Sequence, residues 1–573
     1  MLEVDLTSRR FSILEPKEDL YLNNLGGRGL AGGFLWEKKG LEWDDPQMPV
    51  VFATGPLVGT RAPTSGRMAI ASRSPLTGAI GDTSVGGGLG TQMKRAGWDA
   101  IIVTGKSVRP LGLIIDTDNI EITEATKLVG KPLSSVAREL EALGSFAVIG
   151  PAAENNVFFA TVMVDRHFAA GRGGLGLSLF KKGLKFIAIR GRRKLQAYDP
   201  KGLEDAREKI FRQSAASSIL QGPFGLASLG TPALYDLIHV RRMMPTSNFR
   251  KTFFPLAPKM NAYNLEAAYK PLKSGCRGCH IQCKRLTNDS RPVPEFETLS
   301  HFSALLNNTD LETVVQANKI CNDMGMDTIS AASALSCHQE IIGNDLGPAG
   351  ILQLLTDIAL ARTSLGQSLG RGSRAYAQSR GKSGSSMSVK GMDLPAYDPR
   401  GAYGMALAYV TSTRGGCHLR AYPIGHEILL KPVATDRFSF AGKARMIKIA
   451  EDVNATIDSL TACKFLFFAT SLEEYSKALT AITGIVFSEN DLQRTGERIY
   501  FRERMYNAHA GFSSRDDDLP ERFFKEPGSS GAGIEIPPID RGEFLEARSR
   551  YYKARGLDEN GMPLKEKIRE LGL

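Results

Sequence analysis

The chain has 573 residues, 42% hydrophobic and 23% charged, the composition of a folded protein with room for several domains. No apolar stretch reaches the roughly 18 residues of a membrane-spanning helix, so no membrane span is expected. A net charge of +11 and a pI of about 9.2 favour an acidic partner, nucleic acid or protein. No run of Lys and Arg with interleaved aromatics supports the nucleic-acid option.

Residues 1 to about 193 read as strand-rich. Leu2–Leu6 and Arg10–Leu14 flank Thr7-Ser8 as a hairpin. The segment Thr7–Phe11 bears a trace of a twin-arginine export signal. Glu15-Pro-Lys-Glu-Asp19 follows it in place of an apolar region, so a reducing cytoplasm is expected, with cysteines free or metal-bound. Val50–Thr54, Arg67–Ala71, Ala100–Thr104 and Phe186–Ile189 are short buried-type runs that predict strands. Glycine loops are expected at Gly81–Gly90 and Ala169–Gly176. Glycine, at 59 residues, exceeds the usual roughly 7%. Much of the excess lies in this first third, where backbone must approach something closely.

From about 195 onward helical periodicity dominates. Thr309-Asp-Leu-Glu312 has the pattern of a capping box opening a helix toward Gly325. Residues 349–361, 442–458, 472–482 and 490–509 also read as helices. Gly381-Lys-Ser-Gly-Ser-Ser-Met387 reads as a flexible break, followed by Leu394–Gly401, and a domain boundary is placed there. The expected domains are 1–193, 194–393 and 394–573.

Three of the seven cysteines fall in Cys276-Arg-Gly-Cys279-His-Ile-Gln-Cys283. Crowded thiolates repel one another unless a metal or a disulfide neutralises them. Three is an odd count for disulfides, and the spacing suits iron with a fourth ligand elsewhere. Four readings compete. A zinc knuckle would need a second nearby pair. A c-type haem would use Cys276-Arg-Gly-Cys279-His280 but normally follows export, and it leaves Cys283 unexplained. The cysteines could have no role. The last reading is an iron–sulfur cluster, for which Cys463, just after a helical stretch, is the best fourth ligand. Cys321 and Cys337 sit on apolar helical segments and read as core; Cys417, beside His418, is packing or a site residue.

The chain resembles the tungsten-dependent aldehyde:ferredoxin oxidoreductase family over nearly its whole length. The likeness rests on Gly26–Ala31, Gly55–Arg67, Ser74–Gly78, Ala169–Gly174, the cysteine run and Pro294-Glu-Phe-Glu297. It continues through Asp327–Ser330, Pro395–Gly401, Arg414-Gly-Gly-Cys-His418 and Arg515–Phe523. The resemblance implies an α+β fold: a β-rich N-terminal domain that forms the base for a bis-pterin metal cofactor, followed by two mainly helical domains that cover it. It implies tungsten, or molybdenum, held by pterin dithiolenes and by no side chain, with one [4Fe-4S] cluster on Cys276, Cys279, Cys283 and Cys463.

By the same resemblance, main-chain carbonyls of Ser84 and Ala169 help hold Mg²⁺ between the pterin phosphates. Arg67 and Arg172 face phosphate or pterin. Gly86, Gly171, Asn322, Met326, Asp327, Arg414, Arg420, Asp458 and Lys464 complete the cofactor-binding set, and Glu297 with His418 forms the acid–base pair. Several positions depart from the family. Asn322 stands where the family has Asp, Ser84 for Asn, Arg420 for Lys and Phe168 for Arg. Gln316 occupies the place of a helical Glu that holds a metal across some dimers, so no interfacial metal is expected.

The implied activity is oxidation of an aldehyde to a carboxylic acid, with electrons passing through the cluster to ferredoxin or to iron–sulfur or flavin partner subunits. The chain would act as a homodimer or within a hetero-oligomer. Two alternatives remain: a subunit of a larger complex that reduces a carboxylic acid or an aromatic acyl-CoA (the benzoyl-CoA reductase type), and, from another class, a zinc-binding nucleic-acid protein.

Overall fold

The computed structural model describes residues 1–573. Twelve of the sixteen strands lie before residue 191, in two six-stranded sheets. They are β1 (Leu2–Asp5), β2 (Arg10–Ile13), β3 (Val50–Ala53), β4 (Met68–Arg73), β5 (Ile80–Val85), β6 (Ala100–Thr104), β7 (Leu111–Asp116), β8 (Asn119–Glu124), β9 (Ser145–Ile149), β10 (Val162–Val164), β11 (Phe168–Ala170) and β12 (Leu184–Arg190). One sheet runs β2-β1-β6-β3-β4-β5 and the other β11-β10-β9-β12-β7-β8. The first hairpin pairs Leu2 with Ile13 and Asp5 with Arg10, as expected around Thr7-Ser8. Strands β3, β4, β6 and β12 are almost wholly buried, which is why they read as continuous apolar runs.

Two expected glycine loops begin as strands. Residues 80–85 form β5, paired along its length with β4, and residues 168–170 form β11. Their small residues mask the strand signal, and pairing with an apolar neighbour supplies it. After residue 191 the chain is mostly helical, and β-structure is confined to two small hairpins. The expected helices appear as Gly347–Ala359, Lys443–Leu460, Leu472–Thr483 and Glu489–His509.

The helix Leu311–Met324 is capped differently from the expected box. Asp310, not Thr309, is the N-cap, and its carboxylate accepts from Thr313 N. Glu312 instead accepts from Tyr269 and Gln316. An Asp one residue nearer the helix competes better for the free N–H groups. In the stretch expected as a flexible break, residues 381–384 are exposed. Residues 385–401 are almost entirely buried and carry a small hairpin, Ser388–Val389 with Met392–Asp393.

The two halves of the chain meet closely. In the helix Gly27–Trp36, a side-chain carbon at Gly27 would lie 2.4 Å from the carbonyl oxygen of Asp458. Part of the N-terminal glycine excess therefore serves backbone contact with the C-terminal helices. No helix is long and apolar enough to cross a membrane.

Candidate functional site

A cavity of ≈ 360 Å³ opens between the β-rich region and the helices. That is within the range of small-molecule and cofactor sites. Every catalytic and cofactor-binding residue expected from the sequence lines it: Glu297, His418, Arg67, Ser84, Gly86, Ala169, Gly171, Arg172, Asn322, Met326, Asp327, Arg414, Arg420, Asp458 and Lys464. Cys276, Cys283 and Cys463 line it too, while Cys279 is turned toward the apolar cluster that packs behind the loop.

One wall is a web of paired charges. Asp82, on β5, forms an ion pair with Arg420, and Arg414 donates to the Asp82 carbonyl at 2.6 Å. Arg28 holds Glu503 through Nε and Nη2 at 2.6 and 2.7 Å and reaches Asp458 at 3.3 Å. Lys464 Nζ lies 2.8 Å from Asp458 Oδ2 and donates to the Leu419 carbonyl at 2.7 Å. Burial alone would raise the Asp82 carboxyl, but Arg420, Arg28 and Arg414 outweigh it and hold it well below the usual range. Burial pulls Lys464 down to about 8, against the pull of Asp458. Arg28, Asp82 and Glu503 were not singled out from the sequence. An arginine at the head of a glycine-rich helix was the only signal for them.

A second wall joins the glycine loops to the cysteines. Arg67 donates from Nε to Ser84 Oγ at 2.9 Å and from Nη2 to the Ser84 carbonyl at 2.6 Å, and its Nη1 lies 4.0 Å from Cys276 Sγ. A side-chain carbon at Gly86 would fall 2.3 Å from that sulfur, so this glycine is what lets the cysteine loop seat. All seven cysteines are free, and Cys321 and Cys337 are buried core residues on helices, as expected.

Burial pushes the Cys463 thiol up to about 11 and Cys283 well above its ordinary value, with neighbouring thiols adding to both. No group of three or more His, Cys, Asp or Glu side chains is close enough to hold one metal ion. His280 faces away, with Nε2 2.8 Å from Ser214 Oγ. Lys284 Nζ stands over the Phe168 ring at 5.3 Å.

The third wall holds the expected acid–base pair. Glu297 sits in the short helix Phe296–Ser300; its Oε2 accepts from Ala396 N at 2.7 Å, and its Oε1 lies 3.5 Å from His418 Nε2. Their side chains are 19% and 12% exposed, so both face the cavity without being open to bulk water. Burial pushes Glu297 up to about 8, only partly offset by the Ala396 N–H and Arg172. Burial, with Arg172 and Arg414, holds His418 well below its ordinary value and therefore neutral. Tyr397 and Tyr422 flank His418, ring centroids 5.4 and 5.8 Å away.

Arg172 lies 3.2 Å from Asp327, which also caps the helix Thr328–Ile342. Asn322 donates to the Asn318 carbonyl at 2.8 Å. Cys417 lies beneath this wall, fully buried. Its sulfur accepts from Arg414 Nη2 at 2.9 Å, and Arg414 and other cations outweigh burial to bring it down to about 7.

Several buried polar atoms on these walls have no hydrogen-bond partner: Asp458 Oδ1, Arg420 Nε, Glu297 Oε1 and His418 Nδ1. Such atoms cost free energy unless a ligand meets them. A free carboxylate oxygen next to arginines suits a pterin, whose amino-pyrimidinone edge presents donors and whose phosphate is an anion. The residues present fit that group.

Fold and site together define an α+β protein built around a cofactor-sized cavity with a charged wall, a thiol wall and an acid–base wall. Residues 1–191 match the N-terminal domain of aldehyde ferredoxin oxidoreductase, and residues 205–573 match its domains 2 and 3. The chain belongs to the aldehyde ferredoxin oxidoreductase family. It is 35% identical to the tungsten-containing aldehyde ferredoxin oxidoreductase of Pyrococcus furiosus and 36% identical to that of Pyrococcus horikoshii, in each case over 100% of this chain and 98% of the relative. It is 25% identical to the WOR-like subunit of an aliphatic sulfonate oxidoreductase of Pyrococcus furiosus, over 100% of this chain and 96% of that one. Among solved structures, the active site complex BamBC of benzoyl coenzyme A reductase superposes with a TM-score of 0.85 at 20% identity, covering 100% of this chain and 96% of that chain. The family assignment displaces the reading of a zinc-binding nucleic-acid protein.

Proposed function

We propose that this chain is a tungsten–pterin oxidoreductase that converts aldehydes to carboxylic acids. The reaction takes one aldehyde and one water to one acid, releasing two electrons and two protons. Full-length identity of 35% to tungsten-containing aldehyde ferredoxin oxidoreductases supports this over an acyl-CoA or carboxylic-acid reductase, a reading carried by a structural neighbour at 20% identity. One observation carries the mechanism. Glu297 Oε1 and His418 Nε2 lie 3.5 Å apart on the wall of the cavity that the expected cofactor residues also line.

The tungsten–pterin group, when bound, supplies the two-electron acceptor. Asp458 Oδ1 and Arg420 Nε, which have no protein partner, would meet the pterin edge, and Arg67 and Arg172 would face its phosphates. The Ser84 and Ala169 carbonyls would help hold Mg²⁺ beside the pterin group.

Glu297, ionised, takes a proton from the attacking water; its burial keeps it a base strong enough for that step. His418 is neutral and offers one N–H to the carbonyl oxygen. Tyr397 and Tyr422 hold the imidazole and keep bulk water from it.

Cys276, Cys279, Cys283 and Cys463 would carry a [4Fe-4S] cluster as the electron exit. The basic chain would hand electrons to an acidic ferredoxin, or to iron–sulfur or flavin subunits, in a reducing cytoplasm. Anaerobic purification followed by tungsten and iron analysis and an aldehyde panel with a viologen acceptor tests this. Tungsten, iron near four per chain and aldehyde-dependent dye reduction are expected. Metal-loaded protein that reduces no dye with any aldehyde would overturn the reading.

A further inference from the structure

The helix that carries Glu297 does not continue regularly. From His301 to Leu305 it widens into a π-helix, a form that recurs at functional sites. His301 opens that segment and is completely buried. Its Nδ1 lies 2.8 Å from the Glu297 carbonyl oxygen and 3.9 Å from Glu297 Oε2, and its Nε2 lies 3.2 Å from the Leu394 carbonyl oxygen. Both ring nitrogens therefore face oxygen acceptors, and a carboxylate stands behind one of them.

A neutral imidazole has one N–H and one lone pair. Whichever tautomer is chosen, a lone pair would point at a carbonyl oxygen. The 2.8 Å contact from Nδ1 and the 3.2 Å contact from Nε2 are both within hydrogen-bond range, and only the doubly protonated ring donates at both. Burial pulls in the opposite direction, driving the imidazole down toward about 4.

The groups that decide the balance are Glu297 on the same helix, Arg172 from the glycine loop, Asp327 at the head of the next helix, Tyr397, and Cys417 and His418. Arg172 repels a second cation, but Asp327 at 3.2 Å and the Asp393 carbonyl at 2.5 Å already engage it. His418 is neutral. The Glu297 carboxyl lies 3.9 Å from Nδ1 of His301.

We propose that His301 is held as an imidazolium, donating from both ring nitrogens, and that this buried cation positions Glu297 and lowers its proton affinity. The proposal rests on the reading of Glu297 as the acid–base group. His301 is a positioning residue; it reaches the chemistry only through Glu297. The π-helical turn that begins at the ring shapes the backbone that seats it beneath the carboxylate.

Neutron diffraction from a deuterated crystal of the holoenzyme tests the charge directly. Deuterons on both Nδ1 and Nε2 of His301 are expected, and a single deuteron would overturn the proposal. Infrared titration of the Glu297 carboxyl, assigned by its loss in Glu297→Gln, tests the consequence without reference to turnover. In His301→Gln, which cannot carry the charge, the Glu297 ionisation should move up by roughly 1–3 pH units. His301→Lys should return it toward the wild-type value. An unmoved ionisation in a folded His301→Gln would reduce the ring to a structural role. If Glu297→Gln keeps full activity, the acid–base reading of Glu297 fails, while the deuteron count still decides the charge of His301.

Discussion

The charged wall and the acid–base wall of the cavity treat their ionisable groups in opposite ways. On the charged wall, Arg28, Asp82, Arg420, Asp458, Lys464 and Glu503 are all in ion pairs. Pairing compensates the loss of water, so Asp82 stays charged across the physiological range. On the acid–base wall, Glu297 meets one backbone N–H and a neutral His418, and its second oxygen has no partner. Burial there is only partly offset, and the proton affinity rises toward the working pH. One wall holds a fixed charge pattern; the other holds a movable proton.

Substitutions that separate the two walls test the contrast. Glu297→Gln has the largest expected effect: turnover should fall by roughly 10²–10⁴-fold, with tungsten and iron contents unchanged. Turnover of mutant protein at the wild-type rate would erase the distinction between the walls.

On the charged wall the loss should be structural. Arg28→Met leaves Glu503 and part of Asp458 unpaired in the interior and should cost about 3–5 kcal/mol in denaturant unfolding. A change below about 1 kcal/mol would mean that water reaches the web.

The walls should also differ in how stability depends on pH. The Glu297 carboxyl has a higher proton affinity folded than unfolded, so the folded state binds the extra proton between the two values. Stability at this site is therefore full below the unfolded value and declines as pH rises toward about 8. Relative to wild type, Glu297→Gln should gain stability in thermal melts as pH is raised from acid to neutral. For Asp82, with its affinity lowered, the sign is reversed: stability is present at neutral pH and lost only in acid, and Asp82→Asn should be destabilising at pH 7. Parallel pH profiles for the two variants would contradict the contrast.

The smallest effect is expected at Ser84→Ala. Arg67 would lose the neutral Oγ partner at 2.9 Å but keep the carbonyl at 2.6 Å. About 0.5–1.5 kcal/mol of stability should be lost, with metal content intact. Loss of tungsten in this variant would show that the serine hydroxyl, and not only its carbonyl, serves the cofactor.

Much of the site was legible as motif chemistry. The cysteine run stands out by its own spacing, whereas Glu297 in Pro294-Glu-Phe-Glu297 and His418 in Arg414-Gly-Gly-Cys-His418 were picked out by their place in motifs that resemble the family's. Strands such as β3, β6 and β12 were legible because apolar runs bounded by Gly, Pro or Asp mark buried strands. Strand β5 was not, since Gly81, Asp82 and Ser84 suppress the signal and only pairing with β4 makes it a strand. Asp82, Arg28 and Glu503 went unnoticed because nothing within a few residues of each announces a partner. Their partners lie hundreds of positions away.

By itself, then, the sequence determined the class of fold, the residue types of the chemistry and the order of the motifs, because those depend on local composition and spacing. Tertiary structure alone decided which ionisable groups are paired and which are not. That difference depends on side chains brought together from distant parts of the chain, and on whether each finds an opposite charge once water is excluded. It is why Asp82 keeps its charge, while burial drives Glu297 toward holding its proton.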